Sequence, residues 1–203
     1  MKISLGILTL MSCLTLTLPC EAKVLLSSVS GVINVPSANV RSLGHVEFIG
    51  QYTEDMTALG GNIAALPGLE VAYSRLSPNH GEDFNMYSAK YQFVPETITT
   101  PAVAVGVEDF GDEIERSSYV VATKEGPWGV RGHAGVGTGR FSNGFVALEK
   151  QFKVNSKAFN LSLALEYDGH DFNYGATVPM GKMLQAEAGV RSKALYVGVK
   201  SVF

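Results

Sequence analysis

Hydrophobic and polar residues alternate along most of the chain with a period of two, which is the spacing of a β-strand with two different faces. In residues 159–168, for example, the odd positions are aromatic or leucine and the even positions are mostly polar or acidic. Turn-forming sequences such as Ser142-Asn143-Gly144 separate these runs. No stretch of useful length keeps the 3.6-residue period of a helix, so the pattern predicts an all-β fold.

The short turns between the runs indicate an up-and-down antiparallel sheet. Eleven strand cores are predicted from the alternation, whereas single-chain bacterial barrels normally have an even number. Either residues 23–44 or residues 54–68 are therefore expected to supply a twelfth strand, or one core is false and the number is ten. The predicted cores are 45–53, 69–76, 84–94, 101–110, 117–125, 128–138, 144–152, 158–168, 171–180, 184–192 and 194–203.

Several features favour a transmembrane β-barrel over a soluble secreted β domain, which would also show alternation. Most cores have about 9–11 residues, the length of a tilted strand that crosses a bilayer. One face is charged, and the other carries aromatic residues near the strand ends, as in the girdles of outer-membrane barrels. We predict a transmembrane barrel of 10–12 strands over residues 45–203, with Phe203 as the C-terminus used in barrel assembly. The aromatic residues are Phe110, Trp128, Phe152, Phe159, Tyr167, Phe172 and Phe203.

This topology assigns each connection to one end of the barrel. The longest predicted connection, residues 54–68, faces the periplasm if the C-terminus does, although such barrels usually have short turns on that side. The predicted outward loops are 77–83, 111–116, 139–143, 169–170 and 192–193.

Residues 1–22 are predicted to be a secretory signal peptide that does not belong to the fold. Lys2 provides the positive charge, a leucine-rich uncharged run follows, and Ala22 with Cys20 fits a small-residue cleavage site. The run is shorter than the ~20 residues of a transmembrane helix, and the proline before Cys20 disfavours a lipid anchor there. Both cysteines, Cys13 and Cys20, lie in this leader, so the mature chain has none for disulfides or metal binding.

Composition narrows the functional classes further. The 203 residues include 16 Lys and Arg and 19 Asp and Glu, which gives a formal net charge of −3. This balance argues against a nucleic-acid partner, because proteins that bind nucleic acids normally carry an excess of basic residues. The hydrophobic share of 46% argues against disorder.

The charged face of the strands forms the predicted lumen. It mixes carboxylates with cations, whereas a pore for acidic oligosaccharides should be lined mainly by basic residues. The mixture favours ion pairs that fill a narrow barrel, with a narrow diffusion channel as the alternative. The lumen-facing charged residues are predicted to be Glu47, Lys90, Glu108, Arg131, His133, Glu149, Glu166, Glu187, Arg191 and Lys200, with Glu70 and Asp168 on the same face.

No catalytic residue, cofactor site or metal site is predicted. Asp168, His170 and Asp171 share one turn and could serve a hydrolase at the barrel rim, but such turns are common without catalysis. The acidic residues in 108–115 lack the spacing of a calcium-binding loop, which favours a solvated acidic loop. His133 has no second histidine at metal-ligand spacing.

Residues 23–44 precede the barrel as a separate segment. Pro36 cannot donate to a central strand ladder, and it restricts Val35 to an extended or turn backbone. The segment is therefore predicted to be an entry turn or a first strand at an edge, or alternatively a plug or sensor in the barrel mouth.

Three blocks of sequence resemble the YjbH family. The resemblance extends through residues 31–178 and corresponds to one barrel module of a family whose members are usually much longer. The blocks are Gly-Val-Ile-Asn-Val-Pro-Ser-Ala-Asn-Val at 31–40 with Gly-His-Val-Glu-Phe at 44–48, Pro-Ala-Val-Ala-Val-Gly-Val-Glu-Asp-Phe-Gly at 101–111 with Tyr-Val-Val-Ala-Thr-Lys at 119–124, and Leu-Glu-Tyr-Asp-Gly at 165–169 with Asn-Tyr-Gly at 173–175.

The resemblance implies a non-enzymatic outer-membrane barrel of a Gram-negative bacterium, involved in the production or export of surface exopolysaccharide or in envelope integrity. The implied partners are outer-membrane lipid, lipopolysaccharide, the barrel-assembly machinery and polysaccharide, and no cofactor is implied. A small passive channel is the alternative function, followed by a hydrolase at the rim.

Overall fold

The computed structural model describes residues 23–24, 26–153 and 160–203, with 23–24 described as backbone only. The predicted signal peptide, residues 1–22, and Phe159 lie outside the described residues. The helical elements of the described chain are two 3₁₀ turns, Pro127–Gly129 and Gly139–Phe141. In these same residues, no helix is long and apolar enough to cross a membrane.

Twelve antiparallel strands form a closed barrel, preceded by a separate two-stranded sheet of β1 (Lys23–Val24) and β2 (Ser30–Gly31). The ring closes where the Val46 N–H donates to the Phe203 carbonyl at 3.1 Å and the Phe203 N–H donates to the Val46 carbonyl at 2.9 Å. The predicted all-β, up-and-down antiparallel barrel is confirmed. Its strands are β3 (Val46–Thr53), β4 (Met56–Leu66), β5 (Leu69–Pro78), β6 (Phe84–Val94), β7 (Ala102–Glu108), β8 (Ser117–Glu125), β9 (Val130–Gly137), β10 (Phe145–Lys153), β11 (Asn160–Tyr167), β12 (Phe172–Met180), β13 (Leu184–Arg191) and β14 (Ala194–Val202).

The region 54–68, predicted as the longest connection, is mostly strand β4. It joins β3 through residues 54–55 alone, so it supplies the twelfth strand, and the expected long connection does not exist. Alternation is weak there because small residues occupy the middle of the strand. One of them is Gly60, where a Cβ would collide with the Tyr73 carbonyl and the Ser28 hydroxyl. Glycine is therefore needed for the close approach of the chain inside the barrel.

The outer face of the barrel is apolar and the inner face is largely polar. Along β3, Phe48 and Tyr52 are exposed, whereas Glu47 is buried. Phe48 meets Phe203 edge to face with 6.0 Å between the ring centroids, so the closing seam carries an aromatic pair on its outer side. An extensive exposed apolar band suits lipid and not water. Of the predicted aromatic set, Phe110, Trp128, Phe152, Phe172 and Phe203 are exposed and Tyr167 is partly exposed.

The connections lie at two ends of the barrel. The terminal end contains the start of β3 and Phe203, together with the turns 67–68, 95–101, 126–129 and 181–183. The far end contains the connections 54–55, 79–83, 109–116, 138–144, 168–171 and 192–193. All loops predicted to face outward are therefore at the far end.

An apolar core occupies part of the barrel interior. Val32, Ile33 and Val35, which precede β3, belong to the same buried cluster as small inward residues of the barrel wall. Phe141, from the second 3₁₀ turn, folds in at the far end and packs on Tyr119 with 5.1 Å between ring centroids. The interior thus combines the expected charged residues with a packed apolar core. The inward wall residues of this core include Ala102, Ala104, Val121, Ala147 and Ala164.

Candidate functional site: the barrel interior

Residues 26–40, here called the interior segment, run through the inside of the barrel. Val29, Ser30 and Val35 have no exposed surface. A buried segment without regular pairing along its length needs hydrogen-bond partners for its peptide groups. Inward side chains of β4, β5, β6, β8 and β11 provide them.

The carboxylate of Glu166 on β11 holds the middle of the interior segment. It accepts the Ile33 N–H at 2.9 Å, the Asn34 N–H at 2.6 Å and the side-chain amide of Asn173 at 2.9 Å. The Asn34 side chain donates in turn to Asp168 at 2.7 Å. Several N–H donors therefore surround this buried carboxylate, as burial of a charge requires.

Glu70 on β5 and Lys90 on β6 hold the segment through Ser30. Ser30 donates to the Glu70 carboxylate from its N–H at 2.7 Å and from its hydroxyl at 2.6 Å. The Lys90 ammonium donates to the Ser30 carbonyl at 2.9 Å, the Asn39 carbonyl at 2.8 Å and the Ser30 hydroxyl. The two charged groups are 3.8 Å apart, so each neutralises the other while binding the same stretch of backbone.

Arg140, in the second 3₁₀ turn, ties the far-end loop to the segment. Its Nη1 donates to the Asn34 carbonyl at 2.8 Å, and its Nε donates to the Glu108 carboxylate at 2.8 Å. Glu108 also accepts the Ser27 hydroxyl at 3.0 Å. One ion pair therefore contacts the segment at two positions.

His133 belongs to a chain of hydrogen bonds that ends on the segment. The Ala38 N–H donates to the Thr123 hydroxyl at 2.8 Å, and this hydroxyl lies 2.9 Å from His133 Nδ1. His133 Nε2 is 3.2 Å from the Glu149 carboxylate. Because Thr123 accepts from Ala38, its own hydrogen can point to Nδ1, which leaves the ring hydrogen on Nε2 facing Glu149.

Glu47, at the start of β3, is the centre of a buried cluster towards the terminal end. Arg41 Nε lies 2.5 Å from its carboxylate and Lys200 Nζ lies 3.9 Å away. The Asn62 amide donates to the same carboxylate at 3.2 Å and to the Ser28 carbonyl at 2.8 Å. This cluster therefore reaches the segment through Asn62.

Gln51 on β3 links two further charged residues of the interior. Its amide donates to Glu187 at 2.5 Å, and its carbonyl oxygen accepts from Arg191 at 2.8 Å. The Arg191 guanidinium also lies over the Tyr196 ring, 5.4 Å from its centroid.

The structure places nine of the ten predicted lumen charges in buried positions. The tenth, Arg131, lies near the terminal end with 12% of its side chain exposed. It pairs there with Glu96 at 2.8 Å and Glu125 at 3.1 Å. Paired charges and the interior segment together fill the middle of the barrel.

The carboxyl of Asp168 offers a pH test of how the segment is held. Burial alone would raise its pKa, but the Asp171 N–H, the side-chain amides of Asn34 and Asn173, and the His170 N–H hold the pKa below its usual value. A lowered folded-state pKa stabilises the fold above the unfolded value of about 3.9, and the contribution is lost as pH falls through the folded value.

We expect the protein to resist urea better than Asp168→Asn by a constant margin between about pH 5 and 7. The margin should shrink below about pH 4, where the unfolded chain binds a proton at Asp168 that the native carboxyl still resists. Urea midpoints in detergent measured across this range test the prediction. A margin that is the same at the acidic end, or largest there, would contradict it.

The turn at 168–171, which could serve a hydrolase but is not predicted to, is held by hydrogen bonds within the turn. Asp168 accepts the backbone N–H groups of His170 at 3.0 Å and Asp171 at 2.9 Å, which caps the turn. Within the described chain, the hydrogen-bond partner of the His170 ring is the Asn143 side chain, at 3.4 Å. A general base held by a carboxylate is therefore not assembled from these residues.

The acidic loop 109–116 is held by its own backbone. Asp109 accepts the N–H groups of Glu113 at 3.1 Å, Ile114 at 2.8 Å and Glu115 at 3.1 Å. Among residues 26–153 and 160–203, no group of three or more His, Cys, Asp or Glu is arranged to hold a metal ion. Asp109 thus caps the turn of its own loop, and Asp112 accepts the Arg116 N–H at 2.8 Å in the same way.

Several residues that hold the segment were not singled out from the sequence, among them Asn34, Arg140 and Asn173. The alternation of residues along β12 places Asn173 on the polar face. Amide side chains are common on such faces, so this position alone does not mark it as a residue that holds the segment. Arg140 lies in a loop, where alternation gives no information about direction. A usable signal was the row of small residues at Ala102, Ala104 and Gly106, since an inward face of small residues leaves space for another part of the chain.

Comparison with solved structures supports a porin-type barrel. The chain is similar to a KdgM porin solved in complex with disordered oligogalacturonate, with a TM-score of 0.54 and 12% sequence identity. The similarity covers 78% of this chain and 99% of that chain. At this identity the likeness concerns the fold, and with the apolar outer face it confirms a transmembrane barrel. No curated protein matches the sequence significantly.

The sequence profile of the YjbH family, described as exopolysaccharide biosynthesis protein YbjH, matches residues 27–173. The matched region begins in the interior segment and ends at Asn173. It therefore includes the Glu166 carboxylate and the segment backbone that this carboxylate binds. The chain belongs to the YjbH family, as the blocks of its sequence predicted.

Proposed function

We propose that the protein is a non-enzymatic outer-membrane barrel that acts in surface exopolysaccharide production or export, or in envelope integrity, with residues 26–40 as its plug. Family membership supports the link to exopolysaccharide. The observation that supports a plug is that this segment is buried among charged side chains of the barrel wall.

The outer face supports the proposed location and partners. Its exposed apolar band suits outer-membrane lipid, with lipopolysaccharide around the far-end rim. The signal peptide is removed after Ala22 during export. In the outer membrane of a Gram-negative host the far end of the barrel faces outward, and Phe203 is available to the barrel-assembly machinery. Phe203 is 59% exposed and directly follows the seam strand β14, where such recognition has access to it.

A passive channel is the second candidate function. The likeness to a porin favours it, and that porin was solved with an oligogalacturonate. The filled interior limits such a channel, because a solute can pass only after the interior segment has moved aside.

The proposed function predicts two results. The full chain expressed in a Gram-negative host should fractionate with the outer membrane and migrate faster in SDS when unboiled than when boiled. Deleting the gene in its native host should lower surface polysaccharide, and complementation should restore it. Recovery as a soluble periplasmic protein without a heat shift would refute the location. Unchanged polysaccharide and unchanged detergent sensitivity would refute the role.

A further inference from the structure

A groove of about 520 Å³, here called the lateral groove, crosses the outer face of the barrel from β8 to β12. Its volume lies in the range of roughly 300–1,000 Å³ that is common for ligand pockets. The floor is low where the small residues Ala122, Gly132 and Ala134 face outward. The groove is therefore an apolar depression on the lipid side of the wall. Its flanks are formed by Val146, Leu148, Leu165, Tyr167 and Phe172.

Gly132 leaves space that the chain itself does not use. A Cβ at this position would lie 3.7 Å from Leu148 Cδ2 and 4.0 Å from the Lys124 carbonyl oxygen, which are ordinary contact distances. At Gly60, by contrast, a Cβ would collide with the neighbouring strand. The middle of the lateral groove is therefore open to a ligand from the membrane, such as a lipid acyl chain.

A lysine lies at the margin of the lateral groove, on the side of the terminal end. Lys150 is the next outward residue after Leu148 on β10, about 7 Å further along the strand. Its register partners are the apolar residues Val130 on β9 and Leu163 on β11. Its ammonium lies 5.2 Å from the centroid of the Phe152 ring. The charge of Lys150 is therefore surrounded by apolar side chains of the outer face.

Lys150 has no carboxylate within ion-pair distance in the part of the chain that the structure describes. The sequence also contains no Asp or Glu in residues 150–165. Lys124, at the same end of the groove, is by contrast already bound to the Glu96 carboxylate and the Thr97 carbonyl. Lys150 is therefore the cation that is available to an anionic headgroup.

Two further grooves on the outer face of the described chain lack such a cation. Arg75 lines the groove over β3–β6, but its guanidinium is paired with Asp83. Lys90 lines the groove over β6–β9, but its ammonium points inward and binds the interior segment. The lateral groove thus differs from both in the charge beside it.

The depth of Lys150 in the membrane is indicated by Trp128. This residue is 87% exposed and lies in the turn before Val130, the register partner of Lys150. Exposed aromatic residues near the strand ends of outer-membrane barrels lie at the membrane–water interface. Lys150 is therefore at the level of the lipid headgroups, and in the proposed orientation these belong to the periplasmic leaflet.

We propose that the lateral groove binds an anionic phospholipid of the periplasmic leaflet, with its phosphate on Lys150 and one acyl chain along Gly132 and Leu148. A zwitterionic lipid carries its own ammonium, which competes with Lys150 for the phosphate, so a headgroup with a net negative charge is preferred. The inference rests on the proposed location and orientation, and it names the class of lipid that is bound there.

The test is native mass spectrometry of the full mature barrel, delipidated in detergent and then mixed with equal amounts of phosphatidylglycerol and phosphatidylcholine of the same acyl chains. The barrel should retain phosphatidylglycerol in preference to phosphatidylcholine. Lys150→Gln should reduce this preference about fivefold, the usual contribution of one lysine beside anionic lipid. Arg75→Gln makes the same change of net charge on the outer face, at a guanidinium that is already paired, and should leave the preference unchanged.

A second variant tests the groove separately from the charge. Gly132→Leu fills the middle of the groove while Lys150 stays in place, and it should lower the retention of phosphatidylglycerol without removing the heat shift. Equal retention of the two lipids by the native barrel, or a preference that neither variant changes, would overturn the proposal. Loss with Lys150→Gln but not with Gly132→Leu would also overturn it, because the acyl chain would then lie outside the groove. Any of these results from a barrel that fractionates with the outer membrane would refute the site and leave the proposed location intact.

Discussion

Replacing residues 27–38 with a Gly-Ser chain of equal length is expected to turn a closed barrel into a conducting one in planar lipid bilayers. Barrels of roughly eight strands are filled by their own side chains, whereas larger ones enclose a cavity or a channel. This barrel has twelve strands. Its wall is lined by alanines where Val32, Ile33 and Val35 pack, so the segment and not the wall supplies the bulk there.

The same replacement also removes the hydrogen bonds that neutralise the wall. Once the Gly-Ser segment leaves the lumen, the N–H groups of positions 33 and 34 no longer reach Glu166, and the carbonyl of position 30 no longer reaches Lys90. Water is then the available partner for these charges, which favours a hydrated lumen over collapse. In single-channel current recordings, the variant is expected to show stable conductance steps. The native protein is expected to open rarely and briefly.

A Gly-Ser replacement of the exposed far-end loop 79–83 is the matched control, since it alters a connection of the wall and spares the interior. It should remain as closed as the native barrel. A native barrel that conducts as well as the segment variant would show that residues 26–40 do not block passage. A variant that keeps its heat shift but stays closed would show that other parts of the chain fill the lumen.

The period-two pattern was sufficient to predict the barrel because each side of a transmembrane strand has its own solvent. Lipid selects exposed residues such as Phe48 and Leu165, and the interior selects Glu47 and Glu166. Residues 54–68 were one of two candidates for the twelfth strand, but β4 could not be assigned there because the pattern fails where the wall must make room for another part of the chain. Gly60 leaves room for Ser28, and a glycine has no hydrophobic or polar side chain to read.

Parity along a strand also indicates which charges share the inner face, but it does not identify their partners. Lys90 and Glu70 are neighbours through the register of β5 and β6. Glu166 instead binds backbone groups 132 and 133 residues away. The mixture of charges suggested pairs that cross the lumen, whereas much of it is used to hold an irregular segment. Such contacts depend on the path of residues 26–40, which short-range periodicity does not encode.

The Glu70–Lys90 pair gives the second large effect, as a double-mutant cycle. Lys90→Met keeps the apolar stem but removes the ammonium, and Glu70→Gln removes the opposing charge. Each single change leaves one buried charge without its counter-ion, so each is expected to cost about 3–5 kcal/mol of unfolding free energy. The double variant should lose much less than the sum, because neither charge remains to be compensated.

Urea unfolding in phospholipid vesicles, followed by the fluorescence of the single tryptophan, Trp128, measures these losses. The exposed pair Arg75–Asp83 is the matched control, since Arg75→Met and Asp83→Asn remove an ion pair that is already in solvent and should change stability little. Strictly additive losses at Glu70 and Lys90 would mean that the two residues act independently. A strong positive coupling together with increased protease access to residues 26–40 would mean that one ion pair stabilises the wall and holds the segment.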